Sequence, residues 1–85
     1  IEEGATIAQE VYLCTGTHDF QDPAIPLQTG RILIKRNAFI GARAMILPDI
    51  TIGEKAVIGA QSIVTKNVAA HTTVAGNPAT TIRVG

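Results

Sequence analysis

Eighty-five residues are enough for one domain, and a chain of that length buries only about 60–65% of its unfolded surface, so association would help it. Seven basic residues balance seven acidic ones, and Tyr12, Phe20 and Phe39 are the only aromatics. The chain therefore carries neither the cation cluster nor the stacking platform of a nucleic-acid surface.

No apolar run reaches roughly 18 residues and no charged-then-apolar leader is visible, so neither a membrane span nor a signal peptide is expected. The single Cys14 can form no internal disulfide, which fits a cytoplasmic protein. The chain opens on Ile1, inside an apparent pattern, and reads as a piece of something longer.

That pattern has a period of six. Ile1, Ile7 and Leu13 lead three hexads, and Ala5, Val11 and Thr17 follow each lead by four positions. The rhythm then breaks at Cys14–Pro23, "CTGTHDFQDP", which contains one of only two histidines. Counting back from Ile34 puts Gln28 at a lead position and Ile32 in the second row, leaving nine residues, Asp19–Leu27, as a loop ejected from the repeat. His18 stands at the base of that loop, where a rigid scaffold can hold a reactive group.

From Ile34 the series is unbroken: Ile40, Ile46, Ile52, Ile58 and Val64 lead, and Ala38, Ala44, Ile50, Ala56, Ser62 and Val68 form the second row. Six is a multiple of the strand period of two and does not fit the helical 3.6, so the region reads as short strands and turns stacked in a solenoid. Gly41, Gly53 and Gly59 each follow a lead residue, where a tight corner would favour glycine. Ala70 is a weak lead and Val74 keeps the second row. Gly76-Asn77-Pro78 then ends the repeat, and Ile82 and Val84 alternate as one closing strand.

These residues resemble the hexapeptide-repeat acyltransferases. "NAFIGARAMILPDITIGEKAVIGAQSIVTKNV", Asn37–Val68, is similar to that family's central coils, "AGNPATTIRVG", Ala75–Gly85, to its closing segment, and "YLCTGTHDFQDP" to its catalytic-loop entry. The branch it resembles is that of the maltose, galactoside, nodulation and colanic-acid O-acetyltransferases. The resemblance implies an all-β fold, a left-handed parallel β-helix of triangular coils, one domain over residues 1–85 without the family's amino-terminal segment. The hand comes from the resemblance, since spacing carries no hand and most parallel crossovers are right-handed.

The implied chemistry is transfer of an acetyl group from acetyl-CoA to a saccharide hydroxyl. A base must take the hydroxyl proton, worth roughly 10²–10⁴ in rate, and an oxyanion donor adds about 3–4 kcal/mol. In the resembled family the histidine matched by His18 is that base, and Asp19 either orients its ring or caps the turn. No acyl-enzyme is formed, so Cys14 need not be a nucleophile. The pantetheine arm would lie along backbone matching Ala42 and Ala60, with Thr65, Lys66 and Arg83 at the coenzyme's far end. The implied assembly is a homotrimer with its active sites between subunits. No metal is expected: the zinc-dependent γ-class carbonic anhydrases share the solenoid but need three histidines, whereas His18 and His71 are the two here.

Several positions depart from the resembled pattern. Thr80 is neutral where some relatives are basic, and Phe39 stands where many have tryptophan. Related enzymes also carry an acceptor-binding asparagine, and often an aspartate, farther upstream than the seventeen residues that precede His18. A second class of function therefore stands beside the enzyme: a non-catalytic β-helix serving as an assembly module or remnant. An N-acetyltransferase on an amino sugar is a third reading. An ice-binding solenoid is disfavoured because Thr15, Thr17, Thr51 and Thr65 form no ladder.

Overall fold

The computed structural model describes the backbone of residues 1–14, 16–18 and 27–85, with side chains for 1–14 and 30–85. Among the described residues every regular element is a strand, most of them two residues long. In chain order they are β1 (Thr6–Ile7), β2 (Tyr12–Leu13), β3 (Gly16–His18), β4 (Leu27–Thr29), β5 (Leu33–Ile34) and β6 (Phe39–Ile40). The series continues with β7 (Met45–Ile46), β8 (Thr51–Ile52), β9 (Val57–Ile58), β10 (Ile63–Val64), β11 (Thr72–Gly76) and β12 (Ala79–Val84).

The short strands stack into three faces of a parallel solenoid. The first face runs β1-β6-β9-β11 and is closed by antiparallel β12; the second is β2-β7-β10. The third is β5-β8, extended by a parallel bridge from Ile52 to Val68. Phe39 pairs with Val57, Met45 with Ile63 and Leu33 with Thr51, so one full coil takes 18 residues, three hexads.

From Ile34 on, both rows read from the sequence are the core; upstream, Ala5, Ile7, Val11 and Leu13 are only partly buried against it and Ile1 is exposed. Ile34, Ile40, Ile46, Ile52 and Ile58 have no exposed surface, and Ala38, Ala44, Ala56 and Ser62 are buried beside them. Alternation puts these residues inside, while Phe39 and Val57 in the same strands face out. Burying each isoleucine is worth about 1.5–3 kcal/mol, and the ladder is continuous from coil to coil.

The corners differ from the glycine expectation. Gly41, Gly53 and Gly59 do not have positive φ; the left-handed residue comes two positions later, as Asn37, Arg43, Asp49, Lys55 and Gln61, all with φ of 58–62°. Each corner is a four-residue turn, as where Ala44 N–H donates to Gly41 C=O at 3.3 Å, and the third residue takes the positive φ of a type II turn. Glycine opens the turn for a different reason. A Cβ on Gly41 would sit 2.6 Å from Ala60 N and 2.8 Å from Ile58 O, both backbone atoms of the next coil.

The insertion is larger than the hexad count suggests. Thr6 pairs with Phe39 and Tyr12 with Met45, 33 positions apart instead of 18, so fifteen residues leave the solenoid. Thr17 and Gln28 are not coil positions; they face each other in an antiparallel hairpin in which His18 pairs with Leu27. The connecting residues 19–26 lie outside the described residues.

The last coil is two residues short. Val68 pairs with Ile52 and Val74 with Ile58, each 16 positions on. Val68, not Ala70, therefore takes the lead position on the third face, and its left-handed corner residue is His71. Asn67 repairs the shortened turn: its Oδ1 accepts the Thr51 N–H at 2.8 Å, in the role that the Ile50 carbonyl plays for Leu33.

Candidate active site

The coil geometry assigns each candidate residue to an edge. Ala42 and Ala60 follow β6 and β9 at the corner between the first and second faces, one directly above the other. The Ala42 carbonyl accepts the Gln61 N–H at 2.8 Å. Ala60 lies in the last coil to carry this corner, and its N–H and C=O have no hydrogen-bond partner among the described residues. The Glu10–Arg43 pair stands on the same edge, with Nε donating to Oε2 at 3.0 Å; both side chains are exposed, so it adds little stability.

Thr65 and Lys66 occupy the other edge of the second face, and both are exposed. The β3–β4 hairpin leaves the solenoid on this edge, just after Cys14, and returns through Gly30. A Cβ on Gly30 would meet the Asp49 carboxyl and backbone, so the returning chain is pressed against the corner of the coil below. Leu13, Ile46 and Val64 are in register, which puts Thr65 two coil steps from Cys14, about 10 Å along the axis. Of His18 the structure gives the backbone, in β3; its side chain and all of Asp19 lie outside the described residues.

Between these edges the second face turns out Tyr12, Met45 and Ile63, with Leu47 beside them, an uncharged strip. Within one chain, therefore, the Ala42–Ala60 ridge and the hairpin with Lys66 flank opposite sides of a face and do not share a cleft. Arg83 is in a third place, opposite Thr73 at the foot of the first face. His71 is exposed on the remaining edge.

Sequence reading missed a groove at the foot of the solenoid. It encloses about 260 Å³, with Val64, Val68 and Val74 as its floor. Lys66 and Asn67 form one rim; Ala79, Thr80 and Thr81 of β12 form the other. The groove follows from the short last coil, which leaves part of the open core to be covered by the β11–β12 hairpin. Ser62, buried in the second row, fixes that hairpin by accepting the Gly76 N–H on its Oγ at 3.1 Å. The faltering rhythm at Val64–Val68 is the signal in the sequence that could have marked the place.

Residues 31–66 match the family model described as bacterial transferase hexapeptide (six repeats). A putative colanic acid biosynthesis acetyltransferase of Escherichia coli K12 is 35% identical over 79 residues, 93% of this chain and 43% of its own. The chain belongs to the hexapeptide-repeat acyltransferase family.

Its solved relatives include a maltose O-acetyltransferase from Clostridium difficile 630, with a TM-score of 0.86 at 34% identity over 93% of this chain and 44% of that one. An N-acyltransferase from Bacillus cereus in complex with dTDP and coenzyme A gives 0.86 at 27% identity over 96% and 50%. The hexapeptide-repeat chain thus has the left-handed parallel β-helix fold expected of it, in the branch of the sugar acetyltransferases. It spans half or less of the length of these relatives. Among the described residues no helix is long and apolar enough to cross a membrane.

Proposed function

We propose that these 85 residues form the donor side and the base-bearing hairpin of a cytoplasmic acetyl-CoA-dependent O-acetyltransferase acting on a saccharide hydroxyl, as one β-helix domain of a homotrimer. The observation that carries this reading is the antiparallel hairpin interrupting the second–third edge with His18 in its first strand. Relatives that are maltose and colanic-acid acetyltransferases, and one solved with coenzyme A bound, support the substrate classes.

The chemistry asks for one proton to move. The His18 imidazole accepts the acceptor hydroxyl's proton as its oxygen attacks the thioester carbonyl. The tetrahedral intermediate then collapses, the C–S bond breaks, and the imidazolium returns the proton to the leaving thiolate. Asp19 holds the ring. The open backbone groups of Ala60 suit the amide-bearing pantetheine arm, which needs a donor and an acceptor, and the alanine side chains let it approach. Lys66 and Arg83 meet phosphate charge, with Thr65 beside them. Because the ridge and the hairpin flank opposite sides of an uncharged face, a neighbouring copy packed on that face would bring its ridge to this hairpin.

Calorimetric titration of acetyl-CoA into the folded chain tests the reading. Saturable binding at one site per subunit, with turnover falling about 10²–10⁴-fold in His18→Ala while binding persists, is the expected result. A folded protein that binds no acetyl-CoA would instead be the non-catalytic β-helix.

A further inference from the structure

The chain's one tyrosine stands where the hairpin leaves the solenoid. Tyr12 is the outward residue of β2 and is 58% exposed, while Leu13 beside it packs against the core. Met45 and Ile63, in register with it on the second face, are half-buried, so the ring projects beyond the coils that follow. Its hydroxyl has no hydrogen-bond partner among the described residues. Gly16, the first residue of β3, is four positions on, so the two Cα atoms are at most about 14 Å apart.

A packing contact needs only apolar area, which leucine or isoleucine would supply with no hydroxyl to satisfy. A sugar ring offers two chemistries at once: C–H bonds on one face, which lie flat against an aromatic ring, and hydroxyls at its rim, which exchange hydrogen bonds with a polar tip. The reach from Tyr12 to the hairpin suits an acceptor of one or two such rings. Resting on the acceptor reading above, we propose that Tyr12 is the platform of the acceptor subsite. The pyranose stacks on its ring, the phenol bonds a sugar hydroxyl, and the hydroxyl to be acetylated points along the platform towards His18. Tyr12 thereby selects cyclic acceptors with a continuous C–H face over open-chain polyols. With a neighbouring copy's ridge carrying the donor, this chain supplies base and platform together from one strand and the hairpin that follows it.

The chain has one tyrosine and no tryptophan, so its tyrosine emission reports this position alone. Maltose, methyl β-galactopyranoside and sorbitol are titrated into the chain saturated with coenzyme A. Either pyranoside is expected to change the emission saturably, and sorbitol to leave it unchanged. By calorimetry, Tyr12→Ala should bind the pyranosides about tenfold more weakly and Tyr12→Phe within about threefold of the parent, both with acetyl-CoA affinity and oligomeric state unaltered. Pyranoside binding with no change in emission overturns the proposal, and so does a sorbitol response equal to that of the pyranosides. Parent-like sugar binding by Tyr12→Ala overturns it too. A changed oligomeric state in that variant does the same, making the tyrosine a contact between copies. If acetyl-CoA binds and neither pyranoside does, the platform falls and the donor reading stands; if acetyl-CoA does not bind either, both fall.

Discussion

Gly41 shows how two explanations of one residue separate. If its role were a positive φ, asparagine would be a fair replacement, because Asn tolerates the left-handed region better than other side chains. The structure gives it a negative or extended φ and a crowded neighbourhood instead, with the backbone of Ile58 and Ala60 where a Cβ would go. Gly41→Asn and Gly41→Ala should therefore destabilise the fold alike, by about 1–3 kcal/mol, since backbone atoms cannot swing aside. Urea denaturation of both variants decides it. An asparagine variant as stable as the parent would restore the turn explanation. At this scale the sequence marked the right residues for the wrong reason: it shows where glycines stand, not which coil presses on them.

At the scale of the element, the rows of six were legible because burial fixes them. Every second-row residue from Ala38 to Ser62 is buried, and every lead residue from Ile34 to Val64. What six-residue phase does not reveal is how many hexads make a coil. Gln28 could be given a lead position on paper, yet a triangular coil must advance by eighteen, and the 33-residue register from Thr6 to Phe39 leaves room for a hairpin instead. The same ambiguity hid the short last coil. Its repair by Asn67 makes a prediction. Asn67→Ala removes the acceptor from Thr51 N–H, an exposed bond of 2.8 Å, and should cost about 1 kcal/mol. The loss should be concentrated in hydrogen exchange at Thr51 and at Val68, whose N–H donates to Thr51 C=O at 3.0 Å. Unchanged protection at both amides would mean the last coil is held by its valines alone.

For the whole molecule, the edges decide what a single chain can do. The hairpin with His18 and the Ala42–Ala60 ridge lie across the second face from one another, and the strip between them, Tyr12, Met45 and Ile63, is uncharged. Residue types could be matched to a family motif in the sequence. Their distribution over edges could not, because that depends on the coil length and on where the insertion leaves. If catalysis joins the hairpin of one copy to the ridge of the next, two dead variants should repair each other. His18→Ala removes the base, and Ala60→Trp, at an exposed position, blocks the ridge without touching the core. Each alone should be inactive. In trimers assembled from equal amounts of both, a site works when a subunit with an intact His18 adjoins one with an intact Ala60. Random mixing on a cyclic three-fold arrangement gives that combination at about one site in four. Recovery of roughly a quarter of the parent rate would establish the shared site, whereas a site built within one chain would stay silent at every mixing ratio, because no subunit carries both intact residues.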